Sequence, residues 1–139
     1  MHLFLEEAQV LAPMNPDRDE TTMLNRVERL ARIGRNYGIG WTLISQRPQD
    51  VHTKVRNQAG TLLALRTIGT HERKAIGEWV SDKARSKDEA SLTERLDALP
   101  TGTALVWSPA FLQVARTVEV LPRATFDSSK TPEFGGVAV

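Results

Sequence analysis

Several features that would fix the class of this protein at once are absent from its sequence. The 139 residues contain no cysteine, which excludes disulfide bonds and thiolate metal sites and favours a reducing cytoplasm. No apolar run approaches the roughly 20 residues that a helix needs to cross a bilayer. Two glutamates follow the short apolar start at once, so the beginning does not resemble a signal peptide. We therefore expect a cytoplasmic protein that makes no membrane contact.

The charge of the chain is balanced overall but uneven along its length. The net charge is only +1, and 139 residues are enough for one globular domain. Between Arg26 and Lys74, however, ten lysines and arginines stand against three acidic residues. Such a basic section could bind the phosphates of a nucleotide or of nucleic acid. It is also compatible with a solvated surface whose charge is balanced by acids elsewhere.

Three short apolar runs are typical of strands that are buried on both faces of a parallel sheet. They cover residues 3–5, 41–45 and 61–65. Helical patterns follow them over residues 20–37, 51–58 and 71–80. We expect Gly38 to end the first helix, and Asp50 and Thr70 to cap the starts of the other two. This alternation predicts an α/β fold with a mainly parallel sheet that is flanked by helices.

The last part of the chain has a different pattern. Apolar residues at 104–107 and alternating ones at 112–120 predict an antiparallel β-hairpin. Beyond it the sequence is rich in proline, threonine, serine and glycine and has little apolar patterning, which predicts an extended or mobile tail. We therefore divide the chain into a domain at residues 1–120 and a tail at residues 121–139.

Polar or charged side chains follow each of the three predicted strands. Glu6 and Glu7 follow the first, Gln46 and Arg47 the second, and Arg66 the third. In open α/β sheets, ligands bind outside the carboxyl ends of the strands. The sequence therefore predicts that these side chains meet at one edge of the sheet and form a site there.

An apolar strand that ends in two carboxylates has the form of a Walker B motif. One carboxylate of such a pair holds Mg²⁺, directly or through water, and the next orients or deprotonates the water that attacks a γ-phosphate. The other interpretation is a pair of exposed acids at the start of a helix, where they interact favourably with its dipole. Gln46 could sense the γ-phosphate, or it could simply be a turn residue next to Pro48.

Three segments, in this order, resemble the second half of HerA-type ATPases of the HerA/FtsK superfamily. They are LFLEEAQ at residues 3–9, RIGRNYGIG at residues 32–40 and LISQRP at residues 43–48. The resemblance implies part of a RecA-like P-loop NTPase core, from the Walker B strand onward, and covers most of the chain. The SQRP segment at this distance from the acidic pair is the most specific element. Gln9 stands where the family often has histidine.

The resemblance also implies roles for individual residues. Glu7 would be the catalytic carboxylate, Glu6 the carboxylate on the Mg²⁺ side, and Gln46 the sensor of bound ATP. An arginine that acts on the site of a neighbouring subunit would be Arg66 first, with Arg35 and Arg47 as alternatives. Each of these arginines could instead be an ordinary surface or salt-bridging residue.

Partners follow from the same resemblance. Members of the superfamily form hexameric rings that thread double-stranded DNA through a central channel while they hydrolyse ATP with Mg²⁺. The helix around Lys54 and Arg56 could then supply contacts to DNA phosphates. A nuclease or other effector is a further partner that the resemblance leaves open, as it leaves open whether repair, conjugation, phage biology or defence is served.

A phosphate-binding loop is missing from this sequence. Such a loop needs Gly-x₄-Gly-Lys-Ser/Thr, and none of the nine glycines here is followed by lysine. We therefore expect a fragment of a longer ATP-driven DNA translocase that has no hydrolase activity by itself. Two alternatives stay open: a non-catalytic, ATPase-like assembly module that docks through an unpaired strand edge, and a small basic nucleic-acid-binding protein.

Overall fold

The strands in the described part of the chain form two separate small sheets. A computed structural model describes residues 1–84, 91–109, 114–122 and 124–125. One sheet pairs strand β1 (His2–Leu5) in parallel with β2 (Gly40–Leu43). The other is antiparallel, in the order β3 (Leu62–Ala64), β4 (Thr103–Ser108) and β5 (Val114–Glu119). The architecture is therefore mixed α/β, and the predicted C-terminal hairpin is confirmed.

Helices and single helical turns connect the strands. Among the described residues the α-helices are α1 (Ala8–Leu11), α2 (Glu20–Ile33), α3 (Thr53–Arg56) and α4 (Thr70–Ser81). Turns of 3₁₀-helix cover Gly34–Tyr37, Pro48–Asp50 and Ser91–Arg95. Gly38 ends the predicted first helix in the left-handed conformation, with φ of 67°, as its lack of a Cβ allows. None of the helices within the described ranges is long and apolar enough to cross a membrane.

The parallel pair buries only one of its faces. Leu5 and Leu43 are register partners and pack against a cluster formed by α2, α3 and the end of α1. The fully buried members of this cluster are small: Ala12 and Val55. On the opposite face Phe4 is 68% exposed, because side chains alternate along a strand and no described element covers that side. The prediction that residues 3–5 are buried on both faces is therefore wrong.

The antiparallel sheet carries the larger core. Trp107 of β4 is fully buried and meets Trp79 of α4 edge-to-face, with 5.4 Å between ring centroids. Leu96 and Val80 are also fully buried there. The edge-to-face arrangement suits the quadrupoles of the two indole rings and adds to the burial of their apolar area. This sheet, α4 and the segment around Ser91–Arg95 thus form one well-packed unit.

The third predicted strand has a partner that the sequence did not predict. Leu62 pairs with Trp107 and Ala64 with Leu105, both antiparallel, so β3 joins the hairpin and does not extend the parallel pair. Leu63 and Leu65 lie on the outer side and are 63% and 56% exposed. The expected mainly parallel sheet is therefore wrong: an apolar run identifies a strand, but its pairing depends on residues far along the chain.

Two predicted helix caps are also wrong. The imidazole of His52 caps α3 by accepting a hydrogen bond from the backbone N–H of Lys54 at 3.2 Å. Asp50 pairs with the Arg47 side chain instead, at 2.6 Å. Gly69 occupies the cap position of α4, and Thr70 is the first residue of the helix. The predicted tail beyond residue 125 lies outside the described residues.

Candidate functional site

Parallel pairing brings the carboxyl ends of β1 and β2 side by side. The backbone N–H of Ile44 donates to the Leu5 carbonyl at 2.9 Å, and that of Ala8 donates to the Ile44 carbonyl at 3.0 Å. The ladder thus continues past the last residues of both strands. Glu6 and Glu7 are held directly beside the segment that leads to Gln46. The meeting of these strand ends, expected from the sequence, is present in the structure.

Glu7 has an unusual backbone conformation. Its φ is 48° and its ψ is 49°, and it is the only non-glycine residue with positive φ in the described part of the chain. The left-handed region brings Cβ too close to the following carbonyl oxygen and costs an ordinary residue roughly 1–2 kcal/mol. Such conformations collect at functional sites, where the surrounding structure maintains them. Here the turn separates β1 from α1, and both Glu6 and Glu7 are exposed at it.

A line of hydrogen bonds joins Glu7 to the end of β2. The Gln9 side-chain amide donates to Glu7 Oε2 at 2.5 Å, and the Ser45 hydroxyl donates to Gln9 Oε1 at 2.5 Å. The backbone N–H of Arg47 in turn donates to Ser45 Oγ at 3.0 Å. Gln9 and Ser45 are partly buried. Neither residue was assigned a role from the sequence, since only strand pairing brings them together across 36 positions.

Gln46 and Arg47 lie at the turn after β2. Gln46 is exposed, close in the chain to Ser45 and so to the carboxylates. The Arg47 guanidinium forms a salt bridge with Asp50 at 2.6 Å, and its side chain is 64% exposed. Arg47 therefore already has a partner within its own chain, whereas Gln46 is exposed at the turn that follows β2.

The other two candidate arginines lie away from this edge. Arg66 follows β3, which belongs to the antiparallel sheet, and it is exposed. Arg35 lies in the 3₁₀ turn before β2, at the opposite end of that strand from Gln46. A strand of four residues is about 13 Å long. The structure therefore does not bring Arg35 or Arg66 into one sheet edge with Glu7.

The two predicted DNA contacts differ in their surroundings. Lys54 is exposed on α3. Arg56 is half-buried, its guanidinium donates to the Pro48 carbonyl at 3.0 Å, and its own carbonyl accepts from the Trp79 indole at 3.1 Å. Burial lowers the pKa of Arg56 from its usual value, against the opposing effect of the Glu78 and Asp82 carboxylates. Arg56 thus ties the turn after β2 to α4, which leaves Lys54 as the more accessible cation.

Comparison with known proteins identifies the family. A model of the Helicase HerA-like C-terminal family matches residues 1–125. The chain belongs to this family. It is 30% identical over 104 residues to a probable DNA double-strand break repair helicase HerA of Methanocaldococcus jannaschii, covering 75% of this chain and 19% of that protein. It is 25% identical over 139 residues to HerA of Pyrococcus furiosus, covering 96% of this chain and 23% of that protein.

Solved structures share the fold of this HerA-like chain. The genome packaging NTPase B204 of Sulfolobus turreted icosahedral virus 2, in complex with ATP-γS, matches with a TM-score of 0.67 and 18% identity. The match covers 87% of this chain and 52% of B204. The chain thus spans about half of the packaging NTPase and about a fifth of the curated HerA relatives. The resemblance to HerA that the three sequence segments indicated is confirmed.

The residues of this HerA-like chain suit one side of a nucleotide site. Mg²⁺ is commonly held by one or two carboxylates together with waters and substrate phosphates, and Glu6 and Glu7 offer two exposed carboxylates. Within the described ranges no group of three or more metal-ligating side chains is present. A phosphate cradle is also missing, since no glycine precedes a lysine. The chain therefore fits the metal side of such a site and does not provide the phosphate-binding loop.

Proposed function

We propose that this chain supplies the carboxylate edge of an ATP-hydrolysing motor that moves duplex DNA. The phosphate-binding loop of the site comes from another segment or another chain of the same assembly. The observation that carries the proposal is the parallel pairing of β1 with β2, which places Glu6 and Glu7 beside the turn that bears Gln46. Membership of the HerA-like family supports it, as does the name of the relatives, DNA double-strand break repair helicase.

Each polar residue at this edge has a distinct task in the proposal. Bound ATP and Mg²⁺ would supply the phosphoryl group that is transferred to water and the charge that neutralises it. Glu6 would hold Mg²⁺, directly or through one of its waters. Glu7 orients the attacking water and accepts its proton. Gln46 donates a hydrogen bond from its side-chain amide to an oxygen of the γ-phosphate, which makes the turn after β2 sensitive to the state of the nucleotide.

Oligomerisation completes the proposed site. Arg66 is exposed and lies outside the sheet of Glu7, so we propose that it acts on the site of a neighbouring subunit in a ring. Arg35 is the next choice. Arg47 ranks third, because its guanidinium would first have to leave Asp50. A closed hexamer satisfies such head-to-tail contacts, since each subunit both gives and receives an arginine.

The function can be tested in an exchange protein. The exchange protein is Pyrococcus furiosus HerA with its matched segment replaced by this chain. The match between the two covers 96% of this chain. We expect the exchange protein to hydrolyse ATP and to do so faster with duplex DNA, whereas the isolated chain should do neither. Mg²⁺-dependent turnover by the pure isolated chain would contradict the division of the site between segments. An exchange protein that assembles but stays inactive would contradict the motor function.

A non-catalytic assembly module is the second candidate function. The outer faces of both sheets expose large apolar side chains, with Phe4, Leu63 and Leu65 each more than half exposed. Exposed apolar surface of this kind favours association with another protein or another copy. Sedimentation of the isolated chain tests this, since a monomer at all concentrations would count against assembly through these faces.

Salt-sensitive DNA binding that disappears in Lys54→Glu would instead favour the small nucleic-acid-binding protein.

A further inference from the structure

The hydrogen bonds between Glu7 and the turn after β2 all run in one direction. The backbone N–H of Arg47 donates to Ser45 Oγ, Ser45 Oγ donates to Gln9 Oε1, and Gln9 Nε2 donates to Glu7 Oε2. The three donor–acceptor distances are 3.0, 2.5 and 2.5 Å. Because each link polarises the next, such a chain is stronger than separate bonds would be. It ends on a carboxylate, which as a charged acceptor makes the last link the strongest.

Chemistry leaves only one orientation for the Gln9 amide. An ionised carboxylate can accept hydrogen bonds but cannot donate them, so the NH₂ group of Gln9 must face Glu7. The amide oxygen then faces Ser45, and the Ser45 hydroxyl must donate to it. That hydroxyl keeps a lone pair for the Arg47 N–H. Every group along the line is satisfied in this arrangement, and no other rotation of the amide satisfies all of them.

The line offers the exposed Glu7 carboxylate one preferred orientation. Glu7 starts α1 without a side-chain cap and with its backbone in the left-handed region. A glutamate on the surface ordinarily samples many rotamers. Gln9 is two residues away and partly buried, so it offers a fixed donor on the side of β2. The carboxylate is thereby directed by contacts that originate in the neighbouring strand.

We propose that Gln9 is a positioning residue that orients the Glu7 carboxylate and couples it, through Ser45, to the turn bearing Gln46 and Arg47. The inference rests on the proposed function, in which Glu7 acts on water and Gln46 contacts the γ-phosphate. Displacement of that turn by a ligand moves the Arg47 N–H, and with it the Ser45 hydroxyl, the Gln9 amide and the carboxylate. The proposed coupling therefore makes the orientation of Glu7 depend on occupancy of the nucleotide site.

Nuclear magnetic resonance of the 139-residue chain without nucleotide tests the coupling directly. The side-chain couplings of Glu7 report whether it holds one rotamer, and the backbone amide resonance of Arg47 reports the far end of the line. Gln9→Met keeps the length of the side chain but removes both the donor and the acceptor. We expect it to release Glu7 into rotamer averaging and to shift the Arg47 amide. Gln58→Met, the same change at an exposed glutamine, should alter neither signal.

Two further variants separate positioning from general damage to the fold. Gln9→His, unlike Gln9→Met, should keep Glu7 in a single rotamer, because a neutral imidazole carries one donor nitrogen and one acceptor nitrogen. Ser45→Ala removes both hydrogen bonds of the Ser45 hydroxyl and leaves the Gln9–Glu7 bond, so it should shift the Arg47 amide and loosen Glu7 in a chain that is otherwise intact. A Glu7 side chain that already averages in the unaltered chain would overturn the proposal. So would a fixed Glu7 that stays fixed in both Gln9→Met and Ser45→Ala.

The outcome of this experiment does not depend on whether the proposed function is correct. The experiment contains no nucleotide. If the hydrogen bonds are intact but the exchange protein is inactive, the role of Gln9 in positioning Glu7 is supported and the motor function is rejected. Conversely, if the exchange protein is active but the isolated 139-residue chain shows no coupling, Gln9 is rejected as a positioning residue and the motor function is supported.

Discussion

The two sheets of this chain use their apolar residues differently. In the antiparallel unit Trp107, Leu96 and Val80 are fully buried. In the parallel pair the fully buried residues around α2 and α3 are Ala12 and Val55, and Phe4 is left 68% exposed. Large apolar side chains contribute most of the free energy of folding. The antiparallel unit therefore carries the stability, whereas the parallel pair carries the polar groups of the candidate site.

The same contrast extends to the backbone. The positive φ of Glu7 lies at the carboxyl edge of the parallel pair, and the antiparallel unit has positive φ only at a glycine, Gly102, among its described residues. A conformation that costs free energy persists where a function requires it. The difference indicates that one half of the chain serves as a scaffold for the other, and each prediction below tests that division.

The largest expected effect is the loss of the tryptophan at the centre of the antiparallel unit. Trp107→Ala should lower the free energy of unfolding by about 3–5 kcal/mol, because it removes a fully buried indole and its contact with Trp79. Urea denaturation followed by circular dichroism measures it. Phe4→Ala is the matched aromatic change in the parallel pair and should cost about 0.5 kcal/mol. Equal losses would remove the distinction between the two sheets.

A pair of leucines sharpens the comparison of the two cores. Leu96 is fully buried in the antiparallel unit, and Leu24 of α2 is 6% exposed in the smaller cluster. We expect Leu96→Ala to cost about 4 kcal/mol and Leu24→Ala about 2–3 kcal/mol, since a thinner core relaxes more easily around a cavity. The same denaturation experiment gives both values. A greater loss in Leu24→Ala would reverse the assignment of scaffold and site.

The strained backbone of Glu7 offers a test in which glycine should be the more stable residue. Glu7→Gly should have a free energy of unfolding about 0.5–1 kcal/mol higher than Glu7→Ala, because both variants lose the carboxylate that accepts from Gln9 and only glycine adopts positive φ without the Cβ clash. Glu6→Gly is the control: Glu6 is not among the described residues with positive φ, so glycine there should only destabilise. Thermal unfolding of these variants compares them. A Glu7→Gly chain that is no more stable than Glu7→Ala would mean that the left-handed turn is not a cost to the fold.

The smallest effects are expected from the salt bridges. Arg73 pairs with Asp97 in the antiparallel unit, where their side chains are 27% and 43% exposed. Arg47 and Asp50 are 64% and 37% exposed. Screening by solvent limits both pairs, so Asp97→Asn should cost about 0.5–1 kcal/mol and Asp50→Asn about 0.2 kcal/mol. Repeating the measurement in high salt should shrink both differences, whereas losses that are insensitive to salt would indicate another cause.

Local sequence patterns predicted local structure well. The apolar run at residues 3–5, the helix that ends at Gly38 and the hairpin near the C-terminus are all present. Each depends on periodicity or on a residue preference that acts over a few positions. The parallel pairing of the first two strands followed from the helix between them.

Features that depend on distant residues could not be predicted in this way. The β3 run pairs with β4, about 40 residues later, because the indole of Trp107 and the side chains of α4 complete its core there. His52 and not Asp50 caps α3 because that helix begins at Thr53, whereas Asp50 belongs to the preceding 3₁₀ turn. At the site, the sequence placed Glu6, Glu7 and Gln46 at one edge. It did not place Gln9 against Ser45, since that contact arises only from the register of the strands.

One measurement tests the role of the parallel pair most directly. ATP turnover is compared between the exchange protein and its Glu7→Gln form, with Glu119→Gln in β5 as the matched control. We expect Glu7→Gln to lower the rate about 100-fold or more, the typical contribution of a positioned general base, and Glu119→Gln to leave it unchanged. Assembly and DNA binding should be equal in all three proteins. Undiminished turnover in Glu7→Gln would contradict the claim that the carboxyl edge of this sheet performs the chemistry.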